Sequence, residues 1–202
     1  MNIKQFLDNL FEVIENGDAN EVRYCILEGL KNFEEILPLD KAYLKRNTNI
    51  LDYQDQNGKT ALMRASELGK IDAVDFLIQY GACVDLKDNM GRTALIYAVK
   101  EGKENVVKTL IENKADINVQ TKNKHTPLHY AAIYNRVGVA KILAEKGCET
   151  HLRDDRGKSP LMLNDNEEFR RAVIDASMVY FQKRLRKGRN KAFIMDKKRR
   201  GL

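Results

Sequence analysis

Four segments of the chain align without gaps at a spacing of 33 residues. They are Asp55-Gln-Asn-Gly58-Lys-Thr60-Ala-Leu62, Asp88-Asn-Met-Gly91-Arg-Thr93-Ala-Leu95, Thr121-Lys-Asn-Lys124-His-Thr126-Pro-Leu128 and Asp154-Asp-Arg-Gly157-Lys-Ser159-Pro-Leu161. A fixed period of this length is the mark of stacked supersecondary units, each unable to bury its apolar face alone. Such stacks present extended surfaces, so function is sought on a face of the stack before it is sought in a pocket.

The period continues inside each unit. Ala65, Ala98 and Ala131 follow the repeated leucine by three residues, where small side chains let two helices approach. Val74, Val107 and Ala140 match, as do Leu77, Leu110 and Leu143, and the apolar positions around them fall at helical spacing. Gly81 and Gly147 stop the second helix, with Lys114 in the glycine position of the middle unit. Each unit therefore reads as a turn, a short helix, a reversal and a second helix.

These segments resemble the ankyrin repeat, most closely over Thr126-Pro-Leu-His129-Tyr-Ala-Ala132 and the closing Ala115-Asp-Ile-Asn118. The resemblance implies an all-α solenoid of about four to five helix-turn-helix units with short turn or β-hairpin tips. Alanine replaces the motif proline after Thr60 and Thr93, which removes a favourable but optional first-turn residue. Thr60, Thr93, Thr126 and Ser159 sit where a side-chain oxygen can cap the first helix. The family's bracing hydrogen bonds are carried over to Thr126 and His129 alone.

The pattern weakens toward both ends. Residues 3–30 read as a degenerate first unit, with Gly17-Asp18 between two apolar stretches. About 19 extra residues then separate Gly29 from Asp55, compared with the gap from Gly81 to Asp88. The insert at 31–49 holds Phe33, Ile36, Leu37, Tyr43 and Leu44, which favours one or two short packed helices interrupted at Pro38. Units follow at 55–87, 88–120 and 121–153, then a degenerate last unit at 154–180. In that last unit Phe169, Val173, Ala176 and Tyr180 outline an amphipathic capping helix. Residues 1–180 thus form the repeat domain, and 181–202 a basic helix end with a frayed tail.

Charge divides the chain. Residues 180–202 carry Lys183, Arg184, Arg186, Lys187, Arg189, Lys191, Lys197, Lys198, Arg199 and Arg200 against the single acid Asp196. The whole chain is +6, so the tail's +9 leaves the preceding residues at −3. A solvated helix end explains such a tail. So would an import receptor reading Lys183-Arg184 and Lys197-Lys-Arg-Arg200 as a two-part signal, an acidic protein, nucleic acid or an anionic surface. No apolar run approaches the roughly 20 residues of a membrane span, and the N-terminus lacks a secretory apolar core. Three irregularly spaced cysteines give neither a disulfide framework nor a metal-ligand pairing. The expected setting is intracellular: cytoplasmic, nuclear if the tail is an import signal, or a host cell if the chain is a bacterial effector.

No catalytic constellation stands out. His129 belongs to the repeat motif, and His125 and His151 have no carboxylate or cysteine at ligand spacing. Gly58, Gly91 and Gly157 recur at the repeat period and so are turn glycines. The chain is read as a non-enzyme with no cofactor and no metal. The family resemblance implies contacts at positions two, three, five, thirteen and fourteen of each unit, facing the concave side. Leu68, Met90, Arg92, Lys100, His125, Ile133, Tyr134 and Arg156 are the candidates, because large apolar residues there lack a core role and arginine and tyrosine favour binding. The expected function is an adaptor that binds a protein partner through this face.

Overall fold

The computed structural model describes residues 3–36 and 49–199, with side chains over 5–31 and 49–186. Nine α-helices occur among the described residues, with no strand. They are α1 (Ile3–Asn16), α2 (Ala19–Ile36), α3 (Ala61–Leu68), α4 (Ile71–Gln79), α5 (Ala94–Lys100), α6 (Glu104–Glu112), α7 (Pro127–Ile133), α8 (Val137–Glu145) and α9 (Glu167–Arg199). Two single 3₁₀ turns, Ile50–Asp52 and Pro160–Met162, precede the first regular tip and α9.

Consecutive helices pair as antiparallel hairpins, and the hairpins stack in two rows. The inner row runs α1, α3, α5, α7 and the 3₁₀ turn at Pro160–Met162; the outer row runs α2, α4, α6, α8 and α9. Between the rows Ala65, Ala98 and Ala131 are fully buried, as are Val74, Val107, Ala140, Leu77, Leu110 and Leu143. Each leucine removed from water contributes about 1.5–3 kcal/mol, and the repeat supplies two per unit: Leu62 with Leu77, Leu95 with Leu110 and Leu128 with Leu143. Phe6, Leu10, Ile14 and Ile26 extend this core under α1 and α2, where Gly29 admits the ring of Phe6.

Backbone amides lock the units in register. The N–H of Asn89 donates to Asn57 O (3.0 Å), Lys122 N–H to Met90 O (3.0 Å) and Asp155 N–H to Asn123 O (3.2 Å). On the opposite side Asp52 accepts from Cys83 N–H, Asp85 from Asp116 N–H and Asn118 from Glu149 N–H, each across 31 residues. The tips are therefore turns stitched to their neighbours, and the hairpin alternative is not formed.

Several local expectations change. Thr60 Oγ1 accepts from Met63 N–H (3.2 Å) and Thr126 Oγ1 from His129 N–H (3.4 Å), whereas Thr93 and Ser159 make no side-chain cap. The hydroxyl of Thr93 is buried without a partner, because Ile96 occupies the place that His129 fills in the next unit. The expected insert helix begins as a continuation of α2 to Ile36; Leu37, Pro38, Tyr43 and Leu44 lie outside the described residues. Within the basic helix end and tail expected at 181–202, the helix runs through Arg199. Lysine and arginine dominate that stretch and favour helix, as do Leu185, Ala192 and Met195, while Gly188, Asn190 and Asp196 are its weak positions.

Candidate partner-binding face

Each tip is held by the first residue of its unit. Asp88 Oδ1 accepts from the N–H groups of Met90 (2.8 Å) and Arg92 (2.7 Å), and Asp55 and Asp154 make the same pair of bonds. Thr121 replaces the carboxylate with a hydroxyl that accepts from His125 N–H at 3.2 Å. Turning the chain here needs a left-handed residue, and Gly58, Gly91 and Gly157 supply it. Lys124 takes the same conformation at φ 58° and has no glycine's freedom to do so.

From these tips a polar and aromatic band runs along the inner row of helices. Asp88 Oδ2 accepts from Arg92 Nε (2.7 Å) and from the Tyr97 hydroxyl (2.9 Å). Burial alone would raise the Asp88 carboxyl, but the Arg92 amide, its guanidinium and the Tyr97 hydroxyl outweigh it and hold the carboxyl below its ordinary range. The Tyr97 phenol moves the other way, pushed up by burial and then by its bond to Asp88. Arg92 and Lys59 stack on the Tyr97 ring at 4.9 Å and 4.4 Å. Lys59 also pairs with Glu67 (2.8 Å), Glu67 with Arg64 (2.9 Å), and Arg64 with Glu15 of the first hairpin.

The band continues into the third unit. Lys100 Nζ lies 3.0 Å from Glu101, whose hydrogen bond raises the lysine's pKa, and 5.7 Å over the Tyr134 ring. Tyr134 stacks on Tyr130 (6.4 Å between centroids), and Tyr130 meets His125 edge-on at 5.8 Å. His125 stacks on His129 at 5.6 Å and places Nε2 3.3 Å from Asp154 Oδ2. Because a carbonyl only accepts, His129 Nε2 carries the hydrogen donated to Lys158 O (3.1 Å), and Nδ1 accepts from Thr126 N–H (3.1 Å). Burial, then His125 nearby, lowers the His129 pKa and keeps the ring neutral.

The sequence-derived candidates fall into three groups. Met90, Ile133 and Tyr134 are open to solvent, with side chains 42–48% exposed, although Met90's own amide and carbonyl are pinned in the tip ladder. Arg156 is exposed as well. Arg92, Lys100 and His125 are half-buried and already engaged by Asp88, Glu101 and Asp154, so they are fixed within the band. Leu68 departs from the expectation: it is half-buried against the core, which accounts for its apolar character. In the tail Lys183, Arg184 and Arg186 are exposed on α9; the side chains of Lys187, Arg189, Lys191, Lys197, Lys198 and Arg199, and Arg200 entirely, lie outside the described residues.

Sequence reasoning missed Arg64, Tyr97 and Tyr130. They occupy the tenth position of successive units, one helical turn before Glu67, Lys100 and Ile133, so they share a helix face with the residues singled out. His125 also has the carboxylates it was expected to lack: ligand atoms of His125, Asp154 and Asp155 lie within 4.8 Å of one another. The two tips meet only because the units stack in 33-residue register, which local ligand spacing does not reveal. The buried thiols of Cys25 and Cys148 are pushed up by burial to about 11 and about 12, opposite to the shift that activates a nucleophile. No helix among the described residues is long and apolar enough to cross a membrane.

Comparison with protein families agrees with this architecture. A model for ankyrin repeats in three copies matches residues 10–121, more than half of the chain, and a second for ankyrin repeats in many copies matches residues 110–163. The first match includes part of the α1–α2 hairpin. A search of curated proteins finds no match.

Proposed function

The chain belongs to the ankyrin-repeat family, whose repeats generally serve protein interaction, and we propose that it is a non-catalytic adaptor binding a protein partner on its inner face. Met90, Ile133 and Tyr134 form the centre of the proposed contact, flanked by Arg92, Lys100, His125 and Arg156. The observation that carries this reading is the exposure of three large apolar side chains beside a prearranged band of tyrosine, arginine and lysine. Side chains already held in place lose little freedom on binding, which favours affinity. A standard interface of about 800 Å² per partner fits a face three units long.

Capture from lysate with the intact chain and with Met90→Ala/Tyr134→Ala, followed by titration of the protein recovered, tests this. The double variant melts like the parent and loses more than about 2 kcal/mol of affinity. Equal affinity for both chains would remove the inner face from the account. A second reading assigns binding to the basic half of α9, which is helical through Arg199 and rich in lysine and arginine from Lys183 onward. Binding of nucleic acid there would weaken steeply with salt, by a log–log slope of roughly −0.7 to −0.9 per phosphate contacted. Apolar contact at Met90 and Tyr134 is far less sensitive to salt.

A further inference from the structure

The last helix presents two apolar stripes where a capping element ordinarily presents one. Phe169, Val173 and Ala176 are buried against α8, and Tyr180 lies over Gly147, where a Cβ would fall 2.2 Å from its ring. On the far side Ile174, Met178, Phe181 and Leu185 are 46–60% exposed. This side of α9 is turned away from α8, where another unit would pack. Terminal units in solenoids usually turn a polar face outward. Helix α8 has nine residues and α9 has 33, about 50 Å of helix at 1.5 Å per residue, so α9 projects well past its support.

The outer stripe has the spacing four, three, four, which is that of a coiled-coil seam. It reads the same in both directions, so a two-fold axis between Met178 and Phe181 maps the seam onto itself. We propose that the outer face of α9 is a self-association surface on which a second copy of this chain docks antiparallel. Ile174 then faces Leu185 of the partner subunit, and Met178 faces Phe181 of the partner subunit.

Charge selects the direction. A parallel pair would align two basic helix ends, each with ten lysines and arginines between 180 and 202. The antiparallel pair separates those ends and lays each beside the opening of the other helix. There Glu167 and Glu168 balance Arg170 and Arg171, and Arg171 is already paired with Glu167, so the basic run meets a neutral segment in place of a second basic one. On one edge of the seam it also brings exposed Asp175 alongside Arg186 of the partner subunit, twice by symmetry.

Sedimentation equilibrium on the full chain tests the proposal. Over about 1–100 µM the mass rises toward twice 23.2 kDa. Met178→Glu/Phe181→Glu weakens self-association more than about tenfold, since an unpaired charge is driven into the seam, and leaves the thermal melt unchanged at concentrations where both chains are monomers. In a Cys83→Ser background, mixing Ile174→Cys and Leu185→Cys chains under mild oxidation yields a covalent dimer that neither chain forms alone. An intact chain that stays at 23.2 kDa throughout overturns the proposal. So does a disulfide dimer of Ile174→Cys alone, which reports parallel pairing, or a monomer whose seam variant instead loses binding to phosphatidylserine vesicles.

Discussion

Replacing His129 by alanine removes a side chain that joins the cap of α7 to the tip of the following unit. The imidazole is fully buried, donates to Lys158 O and accepts from Thr126 N–H. Alanine leaves that amide without a partner, at about 1–3 kcal/mol for a group left unsatisfied in the interior, and takes one of two donors from Lys158 O, which keeps the N–H of Asp154 (2.9 Å). Water reaching the Lys158 side offsets part of this, because Lys158 is exposed. The expected loss is about 2 kcal/mol, or roughly 4–8 °C in melting temperature for a chain of this size. Urea titration followed by circular dichroism measures it, and hydrogen exchange shows where it falls: faster opening beyond residue 121, little change in α3 and α4. The variant also loses a pH dependence. Neutral His129 is favoured in the folded state, so its stabilisation is complete above the unfolded value near 6.5 and declines as pH falls from there toward the depressed folded value. A loss under about 1 kcal/mol, or an unchanged stability slope between pH 5 and 6.5, would refute the assigned hydrogen bonds.

Three further substitutions probe individual positions. Lys114→Gly relieves a left-handed lysine at φ 70°, where the neighbouring units have Gly81 and Gly147, and raises stability by about 1 kcal/mol in urea titration. Thr93→Val, which deletes a buried hydroxyl with no partner, is neutral or stabilising, whereas Thr126→Val loses a cap and costs about 1 kcal/mol; equal losses would remove the distinction.

The stacking was legible because it is written in positions. Ala65, Ala98 and Ala131 are small, and Leu77, Leu110 and Leu143 are apolar, for a packing reason that recurs every 33 residues, and all six are buried. The exposed residues Met90, Ile133 and Tyr134 were legible for the complementary reason: they stand apolar where the period gives no core role. The band linking Glu15, Arg64, Glu67, Lys59, Tyr97 and Arg92 was not, because its members come from three units and meet only once those units stack. Leu68 was misread because one helix position can be shared between face and core. Where α9 would end was not legible, because a basic run at a helix end reads equally as solvated helix or as tail; in the structure it is helical through Arg199.

Hydrogen exchange of the chain with and without its captured partner tests the central claim most directly. The account predicts new protection in the tips and inner helices at 88–101 and 121–134, lost together with affinity in Met90→Ala/Tyr134→Ala. Protection confined to α9, with 88–101 and 121–134 unchanged, would contradict it and move the binding site to the basic helix.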